Sequence, residues 1–97
     1  MEKYVPHPID TSKVIVPEEI KALAEILAKN THEVWSKGKM EEGWIYGETV
    51  DNHLKTHPDL IPYEQLSEAK KDYDRRTSME ALKVILSKGY KIVNMEE

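Results

Sequence analysis

Prolines and glycines limit regular structure in this chain more tightly than any other feature. Pro6 and Pro8 fall in the first stretch, and Pro17 opens a run that contains neither residue again until Gly38. Gly43 and Gly47 bracket a short segment, Pro58 and Pro62 break the middle, and Gly89 closes the remainder. Both residue types disrupt helix interiors, so helices of several turns are confined to the stretch from Pro17 to Gly38 and the stretch after Pro62. Pro17 suits a first helical position, with Glu18 and Glu19 facing the positive end of the helix dipole. Ile20, Leu23, Ala24, Leu27, Val34 and Trp35 then fall close to one face, with Ala28 and Thr31 beside them, and read as core. Gly38 is expected to end this helix.

Between the glycines, Trp44-Ile45-Tyr46 reads as a strand or extended loop, with both rings on one side if extended. Residues 51–62 read as loop. A second helix is expected from Pro62, carrying Tyr63, Leu66, Ala69 and Tyr73 on its apolar side. Thr77 and Glu80 have the spacing of a capping box, which starts a third helix through Leu82, Ile85 and Leu86 to Gly89. Tyr90-Lys91-Ile92-Val93 has β character and is expected to pair with the Trp44 segment. The expected architecture is mainly α: one domain over 1–97, about three helices with short β segments. Residues 1–16, with Pro6, Pro8 and Asp10-Thr11-Ser12, form a non-helical lead, and 17–94 form the helical body.

Composition narrows the function. Apolar residues at 39% and charged residues at 33% suit one small core beneath a heavily charged surface. The net charge is −4 and lysines are interspersed with acids, which argues against nucleic-acid binding. There is no cysteine, so disulfides, thiolate nucleophiles and cysteine-bound zinc are excluded. No stretch approaches the roughly 20 apolar residues of a membrane helix. The N-terminus lacks an apolar signal core, so a soluble, unprocessed, cytoplasmic chain is expected.

Several motifs taken together resemble the ryanodine-receptor repeat, or RyR, domain family. The resemblance starts at Tyr4, Pro6, Pro8-Ile9-Asp10-Thr11 and Val14, and continues through Leu27-Ala28-Lys29-Asn30. It is sharpest at His32-Glu33-Val34-Trp35, at Gly43-Trp44-Ile45-Tyr46-Gly47 and at His57-Pro58-Asp59-Leu60-Ile61-Pro62-Tyr63. Asp74-Arg75, Glu80-Ala81-Leu82-Lys83 and Gly89-Tyr90-Lys91-Ile92 complete one collinear series over most of the chain. It implies a mostly helical fold with minor β structure, no intrinsic catalysis, and in some members a small-molecule or nucleotide pocket. In the animal calcium-release channels such domains come as tandem pairs. This chain has one copy and no channel, so conduction does not transfer, and a homodimer replacing the tandem partner is expected.

Each candidate site has a plainer structural reading. Trp35, Trp44 and Tyr46 supply core area in a chain without phenylalanine, or form an open platform for a flat ligand. Trp35 is the preferred stacking residue, with Asn30, His32 and Lys37 close by in sequence. Arg75 and Arg76 read as surface ion-pair formers or, just before a helix N-terminus, as a phosphate site. Arg75-Arg76-Thr77-Ser78 also fits a basophilic kinase pattern, whereas Thr77 as a cap is the simpler account. His53 and His57 lack a full ligand set, and His32-Glu33 has Ser36 where a metalloprotease helix needs its second histidine, so no metal is expected. No serine sits in a nucleophile elbow. The expectation is a non-catalytic module without cofactor, recognising a small anionic or nucleotide-like ligand, a protein partner, or both. The alternative is a purely structural self-association or protein-interaction domain.

Overall fold

The computed structural model describes residues 3–96. Residues 3–17 carry no helix or strand, yet they are tied to the body. Thr11 is buried and its hydroxyl donates to Glu80 Oε2 at 2.8 Å, while Val16 is buried as well. The elements that follow are α1 (Glu18–Lys21), α2 (Ala24–Glu41), β1 (Ile45–Tyr46), β2 (Thr56–His57), a 3-10 turn (Tyr63–Gln65) and α3 (Glu68–Ser87). The protein is thus a small mainly-α domain in which α2 packs along α3 and the 3-10 turn sits on α2.

Helix ends follow from where backbone groups find partners. Pro17 is extended and stands just before α1, its carbonyl accepting from Ile20 and Lys21. The helix path tightens at Ala22 and Leu23, then resumes as α2. It runs through Gly38 and stops at Gly43, whose φ is +92°. There Gly43 N–H donates to Met40 O and Trp44 N–H to Lys39 O, each at 3.0 Å. This pairing satisfies the last carbonyls and needs a left-handed residue, so Gly43 is the stop and Gly38 an ordinary helical position. Gly89, also at φ +92°, ends α3 in the expected place.

The expected second and third helices are one. Thr77 lies in mid-helix, and the working cap is Ser67, whose Oγ accepts from Lys70 N–H at 3.3 Å. Tyr63 and Leu66 precede this helix and enter the core from the 3-10 turn, because Leu66 is extended. The expected pairing of Tyr90–Val93 with the Trp44 segment is also replaced: β1 pairs in parallel with β2, Ile45 opposite Thr56 and Tyr46 opposite His57. A short loop wins over a distant tail because its closure is local. Asp51 reverses it, its Oδ1 accepting from His53 N–H at 2.9 Å and Leu54 N–H at 3.0 Å. Gly47 then passes so close to β2 that a Cβ there would lie 2.4 Å from Thr56 Cβ.

The core is small. Ala28, Tyr63 and Leu66 form its centre with Ile61 against them, and Val16, Ile20 and Leu60 are buried around it. The expected stripe on the first helix is only partly core, since Val34 is 63% and Leu23 40% exposed. At roughly 100° per residue both lie some 120–140° around the helix from Ala28, whereas His32 and Trp35 lie within about 40° of it. The buried place that a hydrophobic residue would fill is held by His32.

Candidate functional site

His32 begins the site because a buried imidazole must spend its polar atoms. Its Nε2 lies 2.7 Å from the Ile61 carbonyl, which can only accept, so that nitrogen carries the proton. This bond ties mid-α2 to the segment entering the 3-10 turn. One helical turn on, Trp35 stacks beside the imidazole at 5.7 Å between centroids and 25° between planes. The His57 ring meets Trp35 edge-on at 4.9 Å. His57 is itself fixed by its Nδ1, which accepts the Asp59 N–H at 3.0 Å. Two histidines therefore hold Trp35 from different sides, one from its own helix and one from β2.

Trp35 and His32 face a cavity of about 560 Å³ between α2 and α3. Thr31 completes the α2 wall, Asp59 enters from the turn after β2, and Leu66 closes the apolar side. The α3 wall is Ala69, Lys70, Tyr73, Asp74 and Thr77, which recur at helical spacing on one side of the continuous helix. Lys70 is ion-paired with Asp59. Asp74 is half-buried, and burial pushes its carboxyl above the ordinary aspartate range, with Asp59 adding to the rise and the His32 ring opposing it. An apolar ring wall with a few converging polar groups in a volume of this size is the usual form of a small-molecule site.

A second, open groove of about 610 Å³ runs between α3 and the Val16–Ala24 region. Arg75 and Arg76 line it, together with Lys21, Met79 and Lys83. A family model, the RyR domain, matches residues 4–94. The chain belongs to the RyR domain family.

Within this RyR domain the sequence-derived site residues separate into groups. His32 and Trp35 share the α2–α3 cavity. Trp44 is half-buried and does not line the cavity; it lies 6.4 Å from the His57 ring, with Lys39 Nζ 4.6 Å over its own ring. Asn30 and Lys37 are exposed on α2, Tyr46 is 55% exposed on β1, and none of the three lines the cavity. Arg75 and Arg76 stand in the middle of α3 rather than before a helix start, because Thr77 is no cap. Arg75 is occupied: it pairs with Glu25 and Asp72, and its Nη1 lies 3.4 Å from Glu68 Oε2. Glu25 first and then Asp72 hold the guanidinium charged beyond its already high ordinary value, and Arg75 in turn lowers the Glu25 carboxyl. Arg76 lies over the Tyr73 ring at 5.4 Å. Ser78 also sits within the helix, donating to the Asp74 carbonyl at 2.8 Å, so a phosphate there would not meet a helix N-terminus.

Asp59, Lys70, Tyr73, Asp74 and Thr77 were not anticipated as a group. The signal for the four on α3 is the 70, 73/74, 77 spacing, which becomes one face only when α3 is read as unbroken across Thr77. His57 is a different case. Nothing local in its sequence places it against Trp35, because the parallel β1–β2 pairing brings it there. No helix of the described residues is long and apolar enough to cross a membrane.

Proposed function

We propose that this RyR domain, an interaction or regulatory module by family, is a non-catalytic receptor for a small planar ligand bound between α2 and α3. The observation that carries this reading is Trp35, set at the wall of the cavity and braced by His32 and His57. A fixed aromatic plane gives stacking energy with little conformational entropy to lose, which suits recognition of a nucleobase-like ring. No cofactor is invoked, and the 3.4 Å contact of Ser36 Oγ with His32 Nε2 is not a nucleophile–base pair, because that nitrogen donates its proton to the Ile61 carbonyl. Occupancy would be read out by a partner, because a ligand touching both helices favours the arrangement in which they are closed on it.

Thermal-shift and tryptophan-fluorescence titrations with adenosine, nucleotides and ADP-ribose test this. A saturable rise in melting temperature is expected for one class, as binding to the native state alone raises apparent stability. Trp35→Ala, if folded, should abolish it. A null result with all three on folded protein would refute a nucleobase-type ligand.

A second reading, self-association, is supported by the surface. Large apolar side chains including Ile15, Ile26, Val34, Ile45 and Leu54 are more than 60% exposed. The radius of gyration is 16.7 Å, against about 13 Å for a compact domain of this length. Such a chain hides more apolar area by pairing with a second copy or another protein. Light scattering over a concentration series should show a dimer, and a strict monomer at high concentration would remove this reading.

A further inference from the structure

The charge around the α2–α3 cavity is lopsided, and that determines which ligand fits. Its one ammonium, Lys70, is engaged by Asp59. The His32 Nε2–H is committed to the Ile61 carbonyl, which leaves Nδ1 as an acceptor in the neutral ring. Thr31 Oγ1 lies 2.9 Å from the Leu27 carbonyl and 3.0 Å from Ser78 Oγ, which itself lies 2.8 Å from the Asp74 carbonyl. Two hydroxyl protons thus serve three contacts, and none is left for a guest. Asp74 accepts from no side chain among the described residues, and its charge acts on its neighbours His32, Asp59 and Tyr63 only through space. Two carboxylates, Asp59 and Asp74, thus face one ammonium, so the lining is net negative, while the Trp35 Nε1–H, the Tyr73 and Thr77 hydroxyls and the Lys70 N–H groups not used by Asp59 remain as donors.

We propose that Asp74 is the specificity-determining residue of this cavity, selecting a planar ring that carries N–H donors, as in an amino-heterocycle or amidine, over one that carries a phosphate or carboxylate. This rests on the ligand-site reading above. The ring stacks on Trp35 while its amino or amidinium N–H groups donate to the Asp74 carboxylate, giving a half-buried acceptor the partner it lacks. A hydrogen bond to a charged acceptor is among the stronger pairings. An anionic group in the same place meets an unpaired carboxylate in a partly dehydrated cavity, where repulsion is poorly screened.

Calorimetric titration of the full chain with 4-aminoquinoline, quinoline and quinoline-4-carboxylate tests the proposal, because all three present the same ring. The amino compound is expected to bind at least about tenfold more tightly than quinoline, and the carboxylate most weakly. Asp74→Asn should bring the amino compound to within about threefold of quinoline while leaving quinoline itself unchanged, and Asp74→Ser serves the same purpose if the asparagine variant does not fold. Trp35→Leu should weaken all three together. If the carboxylate binds wild type as well as the amine, or if Asp74→Asn keeps the preference for the amine, the assignment of Asp74 is overturned while the site stands. If none of the three binds wild type, the ligand site itself fails, and the specificity assignment falls with it.

Discussion

Gly47→Ala probes the link between the β1–β2 pairing and the aromatic cluster. A Cβ at position 47 would lie 2.4 Å from Thr56 Cβ, 2.9 Å from Cγ2 and 3.0 Å from Oγ1. The nearest of these is fixed to the β2 backbone, so a rotamer change gives no relief and the two segments must separate by about 1 Å to restore ordinary contact. Gly47 N–H donates to the His57 carbonyl at 3.3 Å, already near the limit, and separation breaks it. Overpacking of about 2 kcal/mol and one lost backbone hydrogen bond of about 1 kcal/mol together predict a loss of about 3 kcal/mol. For a domain of this length that is a fall of roughly 12–24 °C in melting temperature. Urea denaturation followed by tryptophan fluorescence measures it, and both Trp35 and Trp44 pack on the displaced His57. Thr56→Gly removes all three clashing atoms at the cost of the Thr56 hydroxyl bond to the Thr49 carbonyl. Added to that background, Gly47→Ala should cost less than about 1 kcal/mol, a coupling of about 2 kcal/mol in a double-mutant cycle. A Gly47→Ala variant within about 0.5 kcal/mol of wild type, or strict additivity with Thr56→Gly, would refute the close-approach argument.

Three further outcomes follow from the same geometry. His32→Ala opens a cavity beside Ala28 and leaves the Ile61 carbonyl without its donor; a loss of about 2–4 kcal/mol is expected in chemical denaturation, well above that of an exposed helix position. The carboxyl of Asp74 is raised in the folded state, chiefly by burial. The native state therefore holds its proton longer than the unfolded chain, and stability falls as pH rises from the ordinary aspartate value through the raised one. Asp74→Asn should flatten that part of the melting-temperature profile and melt no lower than wild type at neutral pH. Glu25 has the opposite sign: its carboxyl is lowered, first by Arg75, so its contribution is present above the ordinary glutamate value and is lost as pH falls through the lowered one. Arg75→Gln should shrink that acid-side loss to the part that the Tyr63 hydroxyl and Lys71 sustain, and differential scanning calorimetry at a series of acidic pH values distinguishes the two residues.

Much of the site was present in the sequence as chemistry and absent as geometry. His32 and Trp35 are one turn apart on a helix that Pro17 and the following acidic residues announce, so their adjacency needs only the helical repeat. The cationic part of the expected site was misplaced for a local reason. Thr77 and Glu80 satisfy a capping pattern, but a cap forms only where the chain leaves helical geometry, and Ser67 had already started α3 ten residues earlier in the same spiral. With Thr77 inside the helix, Arg75 turns to Glu25 on α2 and to its own neighbours Glu68 and Asp72, while Asp74 and Lys70 come round to the cavity.

The amino-acid sequence by itself determined the family, the mainly helical character and the glycine stop at Gly89, because these rest on local backbone preferences and on motifs that keep their order along the chain. It also marked Trp35 as a stacking residue with Asn30, His32 and Lys37 near it, of which the folded chain brings only His32 to the cavity. Tertiary structure decided that two expected helices are one, that β1 takes β2 as its neighbour, that Val34 faces water while His32 is buried, and that Arg75 is already neutralised. These outcomes depend on competition among partners across the chain, some far apart in sequence, as Glu25 with Arg75 and Ile61 with His32, and some across one short loop, as Gly47 with Thr56. No local pattern records which of those contacts wins when the whole chain closes on itself.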